Sequence, residues 1–256
     1  MVKSIRLGML TPSSNTVLEP VTTAMLAGLD SVSAHFSRFK VTEIGASQRS
    51  DEQFEEAPIL RAAELLADAK VEVIAWSGTS AGWLGFERDE RLCERITAVT
   101  GIKACTSVLA FREIFERAGV RRVGLVTPYV EAVQKRIIAN WREAGFDCVA
   151  ERHCGLHDNF SFANVGGAQI AGMVREVAGA GCDAVAIVCT NMRAAGLAKA
   201  LEAELDVAVY DSIATTVWMS LLLAGVAPEC VRDWGSLFAL APAPTGAEYA
   251  DIRLGL

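Results

Sequence analysis

The chain has 256 residues, of which 52% are hydrophobic and 21% charged, and its net charge is −7. This composition provides enough apolar material for a packed core and excludes a disordered or fibrous chain. The acidic balance disfavours binding to nucleic acid, which requires a basic face. The apolar runs are shorter than the roughly 18–20 residues of a membrane span. The seven cysteines, scattered among apolar neighbours, are typical of reduced thiols. We therefore expect a globular, cytoplasmic protein without membrane or nucleic-acid partners.

Short apolar runs alternate with longer runs of helical spacing along the chain. In the first half, the pattern predicts strands at residues 5–10, 33–42, 71–76 and 103–105, and helices at residues 16–27, 57–70, 88–100 and 107–118. In the second half, it predicts strands at residues 122–126, 147–152, 184–188 and 207–210, and helices at residues 129–144, 167–180, 193–205 and 212–224. This alternation predicts an α/β fold with parallel sheets, and the near-continuous apolar strands indicate that helices cover both sheet faces.

The two halves of the sequence resemble each other. The segments LGMLTP, VIAWSGT and ACTS of the first half match VGLVTP, VAIVCT and VYDS of the second, in the same order and at near-equal offsets. We therefore predict two pseudo-symmetric Rossmann-like domains, the first formed by residues 1–105 plus 212–256 and the second by residues 106–211. Because ligands bind beyond the carboxyl ends of parallel strands, the predicted active site lies in the cleft between the domains.

Polar turns follow four of the predicted strands, at residues 11–16, 77–82, 127–129 and 189–191. We expect each turn to lead into a helix, whose free N–H groups and positive dipole end can bind an anion. The alternative is that the Ser, Thr and Asn side chains are only helix N-caps. Convergence of four such turns on one cleft favours a carboxylate-binding site.

Cys189 differs from the other six cysteines because it ends an apolar strand and begins a polar turn. A helix after that turn would lower the pKa of the thiol, whereas the alternative is a buried core cysteine. His153, Cys154 and His157 have a spacing that is poor for tetrahedral zinc, so we expect no metal. Trp76, close to the first-half turn, either lines an apolar pocket or belongs to the core.

The motifs PSSNT, GTS, TPY and CTN, which begin at residues 12, 78, 127 and 189, resemble those of the aspartate/glutamate racemase superfamily. Within it, they are similar to the branch of maleate cis–trans isomerases and arylmalonate decarboxylases. The resemblance runs from about residue 5 to about residue 225. It implies two pseudo-symmetric domains with the site between them and no cofactor or metal. The absence of a GxGxxG motif after the first strand likewise disfavours a dinucleotide cofactor.

The resemblance also implies roles for individual residues. The superfamily usually places one cysteine from each half on opposite faces of the substrate. Cys189 matches the second of these, and the first is replaced by Gly78, which we expect to mark an open thiol position. The implied catalytic residue is Cys189, and the implied substrate-binding residues are Asn15, Gly78, Thr79, Ser80, Tyr129, Asn159 and Thr190. For Asn159, a local helix cap or Asx turn is the alternative.

Three functions remain open from the sequence. The first is a cofactor-independent decarboxylase of a small substituted malonate-type dicarboxylate, in which Cys189 protonates an enediolate after carbon dioxide leaves. The second is a maleate cis–trans isomerase or an Asp/Glu/hydantoin-type racemase of the same superfamily. The glycine in place of the first cysteine disfavours these reactions, since glycine can neither attack nor take up a proton. The third is a non-catalytic carboxylate-binding module. The expected partner is a small dicarboxylate substrate, and a homo-oligomer is possible.

Overall fold

Two four-stranded parallel sheets form the centre of the protein. The computed structural model describes residues 4–240, apart from the side chain of Arg49. One sheet contains β1 (Ile5–Pro12), β2 (Val32–Phe39), β3 (Val73–Trp76) and β4 (Lys103–Thr106), in the order β2-β1-β3-β4. The other contains β5 (Arg122–Thr127), β6 (Asp147–His153), β7 (Ala184–Ile187) and β8 (Ala208–Asp211), in the order β6-β5-β7-β8. The predicted α/β class and the pair of parallel sheets are confirmed.

The strand registers make the two sheets equivalent residue by residue. Leu10 on β1 pairs with Trp76 on β3, and Val126 on β5 pairs with Ile187 on β7. Leu10 and Val126 both precede the repeated Thr-Pro dipeptide. Trp76 and Ile187 therefore occupy the same position in their halves, and so do the residues that follow them into the turns.

Helices cover the sheets and join successive strands. They are α1 (Leu18–Leu26), α2 (Gln48–Glu52), α3 (Glu56–Asp68), α4 (Ala81–Leu84), α5 (Phe86–Thr100), α6 (Ser107–Ala118), α7 (Glu131–Glu143), α8 (Gly167–Ala178), α9 (Ala198–Leu205) and α10 (Ser212–Leu223). Two of them, α2 and α4, were not predicted because five and four residues are too few to show helical periodicity. Within residues 4–240, no helix is long and apolar enough to cross a membrane.

One glycine in each half allows a helix to approach its sheet. A Cβ added to Gly8 would lie 3.0 Å from Val71 Cγ2 and 3.2 Å from Leu66 Cδ1 of the α3 segment. A Cβ added to the equivalent Gly124 would lie 2.9 Å from Val177 Cγ2 on α8. At distances this short, the neighbouring side chains would have to shift to admit a Cβ. The repeated glycine is therefore explained by the same close approach of helix to strand in both halves.

The helices α6 and α10 are exchanged between the halves. α6 follows the last strand of the first sheet, yet its Phe115 packs against Trp141 and Phe146 of the second half, with ring centroids 5.5 and 5.1 Å apart. α10 follows the last strand of the second sheet and packs against β3, β4 and α1 of the first half. This exchange supports the division into residues 1–105 plus 212–256 and residues 106–211, which we keep as a proposal; residues 1–3 and 241–256 lie outside the described part of the chain.

Candidate active site

The turns that follow β3 and β7 meet between the two sheets. Thr190 Oγ1 donates a hydrogen bond to the Ser77 carbonyl oxygen at 3.1 Å and accepts one from Asn15 Nδ2 at 3.1 Å. Asn191 Oδ1 accepts a hydrogen bond from the Thr16 N–H at 2.9 Å. Direct hydrogen bonds therefore connect the polar turns of the two halves, as the position at the carboxyl ends of the strands predicts.

Asn15 and Asn159 both contribute to this contact between the halves. Asn15 Oδ1 accepts hydrogen bonds from two backbone N–H groups in the first turn of α1, which leaves its amide free to reach the second half. Asn159 Nδ2 donates to Ser14 Oγ at 2.7 Å. The alternative of Asn159 as a local cap is wrong, because Asp158 is the residue that caps the short 3₁₀ helix, by accepting from the Ser161 N–H.

The hydroxyl groups of Thr79 and Tyr129 form a buried pair across the halves. Their oxygen atoms lie 2.7 Å apart. The Tyr129 ring lies between Trp83 and Phe162, with ring centroids 5.3 and 5.5 Å away. Burial raises the pKa of Tyr129 well above its ordinary value, so this phenol stays protonated. The pair can therefore donate hydrogen bonds to an anion that enters between them.

Cys189 is a buried, protonated thiol. Burial raises the pKa of its thiol to about 12, although the Asn191 N–H, which donates to Sγ at 3.3 Å, and the Tyr129 hydroxyl act in the opposite direction. The expectation that a helix after residues 189–191 lowers this pKa is wrong. The predicted helix at residues 193–205 begins as a 3₁₀ turn at Ala195 and becomes α-helical only at Ala198. Cys189 is therefore suited to donate a proton rather than to attack as a thiolate.

Asp211 is a charged neighbour of Cys189 that the sequence analysis did not identify. One of its carboxylate oxygens caps α10 by accepting from the Ile213 and Ala214 N–H groups, and the other is buried with no hydrogen-bond partner among residues 4–240. Burial raises the pKa of Asp211 to about 7, and its charge in turn raises the pKa of Cys189. The internal sequence repeat could have identified Asp211, because it aligns this residue with Thr106, whose side chain caps α6.

Gly78 occupies the position equivalent to Cys189. We expected this position to have space for a thiol side chain, but the structure shows that the space is filled. A Cβ at Gly78 would lie 2.0 Å from Cζ2 of Trp76, a distance at which two carbon atoms cannot coexist. The indole ring therefore occupies the space that a cysteine at this position would need. Trp76 also donates a hydrogen bond from Nε1 to Ser80 Oγ at 3.3 Å.

The predicted site residues are all buried, and most of them are in mutual contact. Seven of them are no more than 5% exposed: Asn15, Thr79, Ser80, Tyr129, Asn159, Thr190 and Cys189. Gly78 is also buried but has no side chain to offer. Ser80 is held by Trp76 and has no side-chain contact with the second half among its hydrogen bonds within residues 4–240.

A short segment of the first half, residues 41–46, crosses to the second half beside these turns. Its Ile44 N–H donates to the His157 carbonyl oxygen at 2.7 Å, and its Thr42 carbonyl oxygen accepts from the Asn159 N–H at 3.0 Å. The sequence analysis missed this crossing because it depends on backbone contacts between distant segments. It brings Asn159 towards the first half.

His153, Cys154 and His157 do not converge as metal ligands within the described part of the chain. His153 Nδ1 lies 2.9 Å from a carboxylate oxygen of Glu151. Among the described residues, no three His, Cys, Asp or Glu side chains converge in a way that could hold a metal ion. All seven cysteines are free thiols in this structure.

Comparison with known proteins identifies the family. The arylmalonate decarboxylase family model matches residues 7–238. The maleate isomerase of Pseudomonas putida is 26% identical over 237 residues, which are 89% of this chain and 95% of the relative. The maleate isomerase of Nocardia farcinica is 26% identical over 251 residues, which are 94% of this chain and 98% of the relative.

Solved structures of the same kind share the fold. The maleate isomerase Iso from Pseudomonas putida S16, determined with maleate, has a TM-score of 0.83 at 23% identity and aligns over 93% of this chain and 99% of its own. A double mutant of arylmalonate decarboxylase in the liganded form has a TM-score of 0.83 at 21% identity, over 93% of this chain and 100% of its own. The predicted branch of the racemase superfamily is thus confirmed. Since the family model spans nearly the whole sequence, the chain belongs to the arylmalonate decarboxylase family and is an enzyme of the isomerase or lyase kind.

Proposed function

We propose that this enzyme is a cofactor-independent decarboxylase of a small substituted malonate-type dicarboxylate, with Cys189 as the proton donor. One observation carries the proposal. A single protonated thiol is present at the end of β7, while the equivalent position at the end of β3 is Gly78, whose side-chain space is filled by Trp76. Such a site has a thiol on one side and no thiol at the equivalent position opposite it. Decarboxylation needs only one acid, because loss of carbon dioxide itself generates the carbanion.

The hydroxyl groups of the first-half turn and of Tyr129 are the proposed binding groups for one carboxylate. Thr79 and Tyr129 bond to each other in the free protein, and a carboxylate that enters between them would accept from both. Ser80 and the Asn15 amide would supply further donors. Neutral donors fixed in a buried site stabilise charge that develops in the transition state, and this is usually the largest catalytic effect.

The proposed reaction breaks the bond between the α-carbon and the second carboxylate. Carbon dioxide leaves, and the bond's electron pair stays on the α-carbon and delocalises into the bound carboxylate as an enediolate. The Cys189 S–H then transfers its proton to the α-carbon, and the thiolate regains a proton from solvent. The reaction consumes one proton for each carbon dioxide released. A thiol pKa of about 12 keeps Cys189 protonated between turnovers at neutral pH.

Maleate cis–trans isomerisation is the second candidate, and the names of the curated relatives favour it. A mutant of the Nocardia farcinica isomerase is described with a covalently bound succinylcysteine intermediate. The corresponding chemistry in this chain would have to use Cys189 as the nucleophile or proceed without a thiol at Gly78. The non-catalytic module that the sequence left open is excluded, because the chain is an enzyme.

A substrate panel separates the candidates. Purified enzyme is incubated with phenylmalonate, methylmalonate or maleate, and carbon dioxide release and fumarate formation are measured. The proposal expects carbon dioxide from at least one malonate, with uptake of one proton per turnover and incorporation of one deuterium at the α-carbon in heavy water. Fumarate formation from maleate, without carbon dioxide from either malonate, would establish the isomerase and overturn the decarboxylase.

A further inference from the structure

We propose that Trp76 is a positioning residue of this site, a role that rests on the proposed function. Its indole ring fills the side-chain space of residue 78, and its Nε1–H donates to the Ser80 oxygen, so that the Ser80 hydroxyl is oriented to donate a hydrogen bond to the bound carboxylate. Residues 76, 78 and 80 then form one unit, in which a change at one position requires a change at another.

The steric part of the unit follows from distances around Gly78. A Cβ at this residue would lie 2.0 Å from Cζ2 of Trp76 and 2.4 Å from both Cε2 and Cη2, so it would fall inside the ring system. The ring itself cannot move aside easily. It is 1% exposed and packs against Phe39 and Phe54, with ring centroids 5.0 and 6.3 Å away.

The space behind the indole ring is also too small to receive it. The cavity that borders Trp76 and Ser80 has a volume of about 10 Å³, which is close to the minimum for a single water molecule. An indole displaced by a new side chain at residue 78 would therefore have to push Phe54 or the neighbouring helix outward. Overpacking of this kind destabilises a protein.

The hydrogen-bonding part of the unit follows from the chemistry of indole. An indole N–H can only donate, so the Ser80 oxygen must be the acceptor in the 3.3 Å contact with Trp76 Nε1. This leaves the single hydroxyl hydrogen of Ser80 free to point elsewhere. A carboxylate next to the turn can only accept, and the fixed orientation of Ser80 therefore favours donation to it.

The second half provides a comparison within the same molecule. Ile187 occupies the position of Trp76, and Cys189 occupies the position of Gly78. In the second half, Ile187 leaves space for the side chain of Cys189 two residues later. In the first half, the indole of Trp76 leaves space only for the glycine at residue 78. The comparison indicates that the residue at position 76 determines whether position 78 can carry a functional side chain.

A set of variants tests the steric part. Gly78→Cys is expected to lower the Tm strongly or to prevent folding, whereas Trp76→Ile with Gly78→Cys is expected to fold and to be more stable than Gly78→Cys alone. Trp76→Ile alone provides the fourth corner of the double-mutant cycle. Gly78→Cys with an unchanged Tm, or a double variant no more stable than Gly78→Cys, would overturn the steric coupling.

A second cycle tests the hydrogen bond with Trp76→Phe and Ser80→Ala. Trp76→Phe keeps an aromatic ring and loses the N–H, so kcat/KM for the malonate substrate should fall about 2- to 10-fold, the range for one neutral hydrogen bond, with little change in Tm. Ser80→Ala should cost less in Trp76→Phe than in the wild type. Additive losses would show that Trp76 does not act through Ser80.

If the wild type releases no carbon dioxide from any malonate, the proposed function fails, and the cycle is measured instead by the rise in Tm that phenylmalonate induces. A rise that is equal in the wild type and both single variants would then overturn this role of Trp76.

Discussion

The turn after β3, at residues 78–80, and the turn after β7, at residues 189–191, occupy equivalent places in two copies of one architecture. The first supplies hydroxyl groups on a backbone with no side chain at its first position, and the second begins with a thiol. In the proposed reaction, the first turn binds the carboxylate and the second supplies the proton. The comparison shows how a repeated fold can acquire an asymmetric site through changes at few positions, here residues 76 and 78 against 187 and 189.

The ends of β4 and β8 differ in a related way. Thr106 caps α6 by accepting from the Leu109 N–H at 3.0 Å, and Asp211 caps α10 in the equivalent place. Threonine stays neutral, whereas Asp211 can ionise beside Cys189. The negative charge is therefore found on the thiol's side, where it opposes formation of a thiolate.

The largest effect is expected from Cys189→Ala, which removes the proposed acid. We expect kcat to fall about 10²- to 10⁴-fold, the usual contribution of a general acid, while substrate still raises the Tm because the hydroxyl donors remain. Cys182→Ala is the matched control, since Cys182 is also a buried thiol of the second half. Full activity in Cys189→Ala would contradict the proposal that the second turn supplies the proton.

Tyr129→Phe should have the next largest effect. It deletes one of the two hydroxyl groups that lie 2.7 Å apart and leaves the ring contacts in place. Loss of one donor to a developing anion costs about 10²- to 10³-fold in kcat. Tyr210→Phe serves as the control, because Tyr210 is also largely buried but packs against Phe115 away from the turns. Equal rates for the two variants would contradict the binding role of Tyr129.

The difference between the β4 and β8 ends should appear in the pH dependence of stability. Burial raises the pKa of Asp211 from its ordinary value of 3.8 to about 7. The folded state then binds more protons than the unfolded state between these values, so the free energy of unfolding should decrease as the pH rises from about 4 to about 7, by at most about 1.4 kcal/mol per pH unit for one group.

Asp211→Asn should make this decrease shallower, because the asparagine side chain cannot ionise. Its amide oxygen can still accept the hydrogen bonds that cap α10. Burial likewise raises the pKa of Asp89 to about 7, so part of the decrease should persist in Asp211→Asn and disappear further when Asp89→Asn is added. Urea unfolding at pH 5, 6, 7 and 8 measures the effect. A stability that is flat or rising across this range in the wild type would contradict it.

The smallest expected effect is an absence of change in the rate at alkaline pH. With a thiol pKa of about 12, Cys189 stays protonated throughout the usual assay range. The rate of carbon dioxide release should therefore not decline between about pH 8 and about pH 10, where an unperturbed thiol, of pKa about 8.5, loses its proton. A decline with a midpoint near pH 8.5 would show that the thiol is less shielded than its burial indicates.

Much of this architecture could be predicted because its signals are local. Alternating apolar segments indicate strands and helices, and the repeated Thr-Pro turns indicate the pseudo-symmetry. The clash at Gly78 could not be predicted, because it depends on the rotamer and packing of Trp76. The same holds for the late start of the helix after Cys189, at Ala195 rather than residue 193, and for the burial of the Asp211 carboxyl. These features arise from packing between segments that the pattern of one segment does not encode.

The exchange of α6 and α10 has a consequence for how the chain folds. All twelve residues of α10 are buried, and it packs on the first sheet, whose last strand ends at Thr106, before the whole second sheet in the chain. A nascent first half would therefore expose the apolar surface that α10 covers, until residues 212–223 have been synthesised. Because each half packs against a helix from the other half, we expect denaturation to proceed as one cooperative transition of the whole protein rather than as two successive ones.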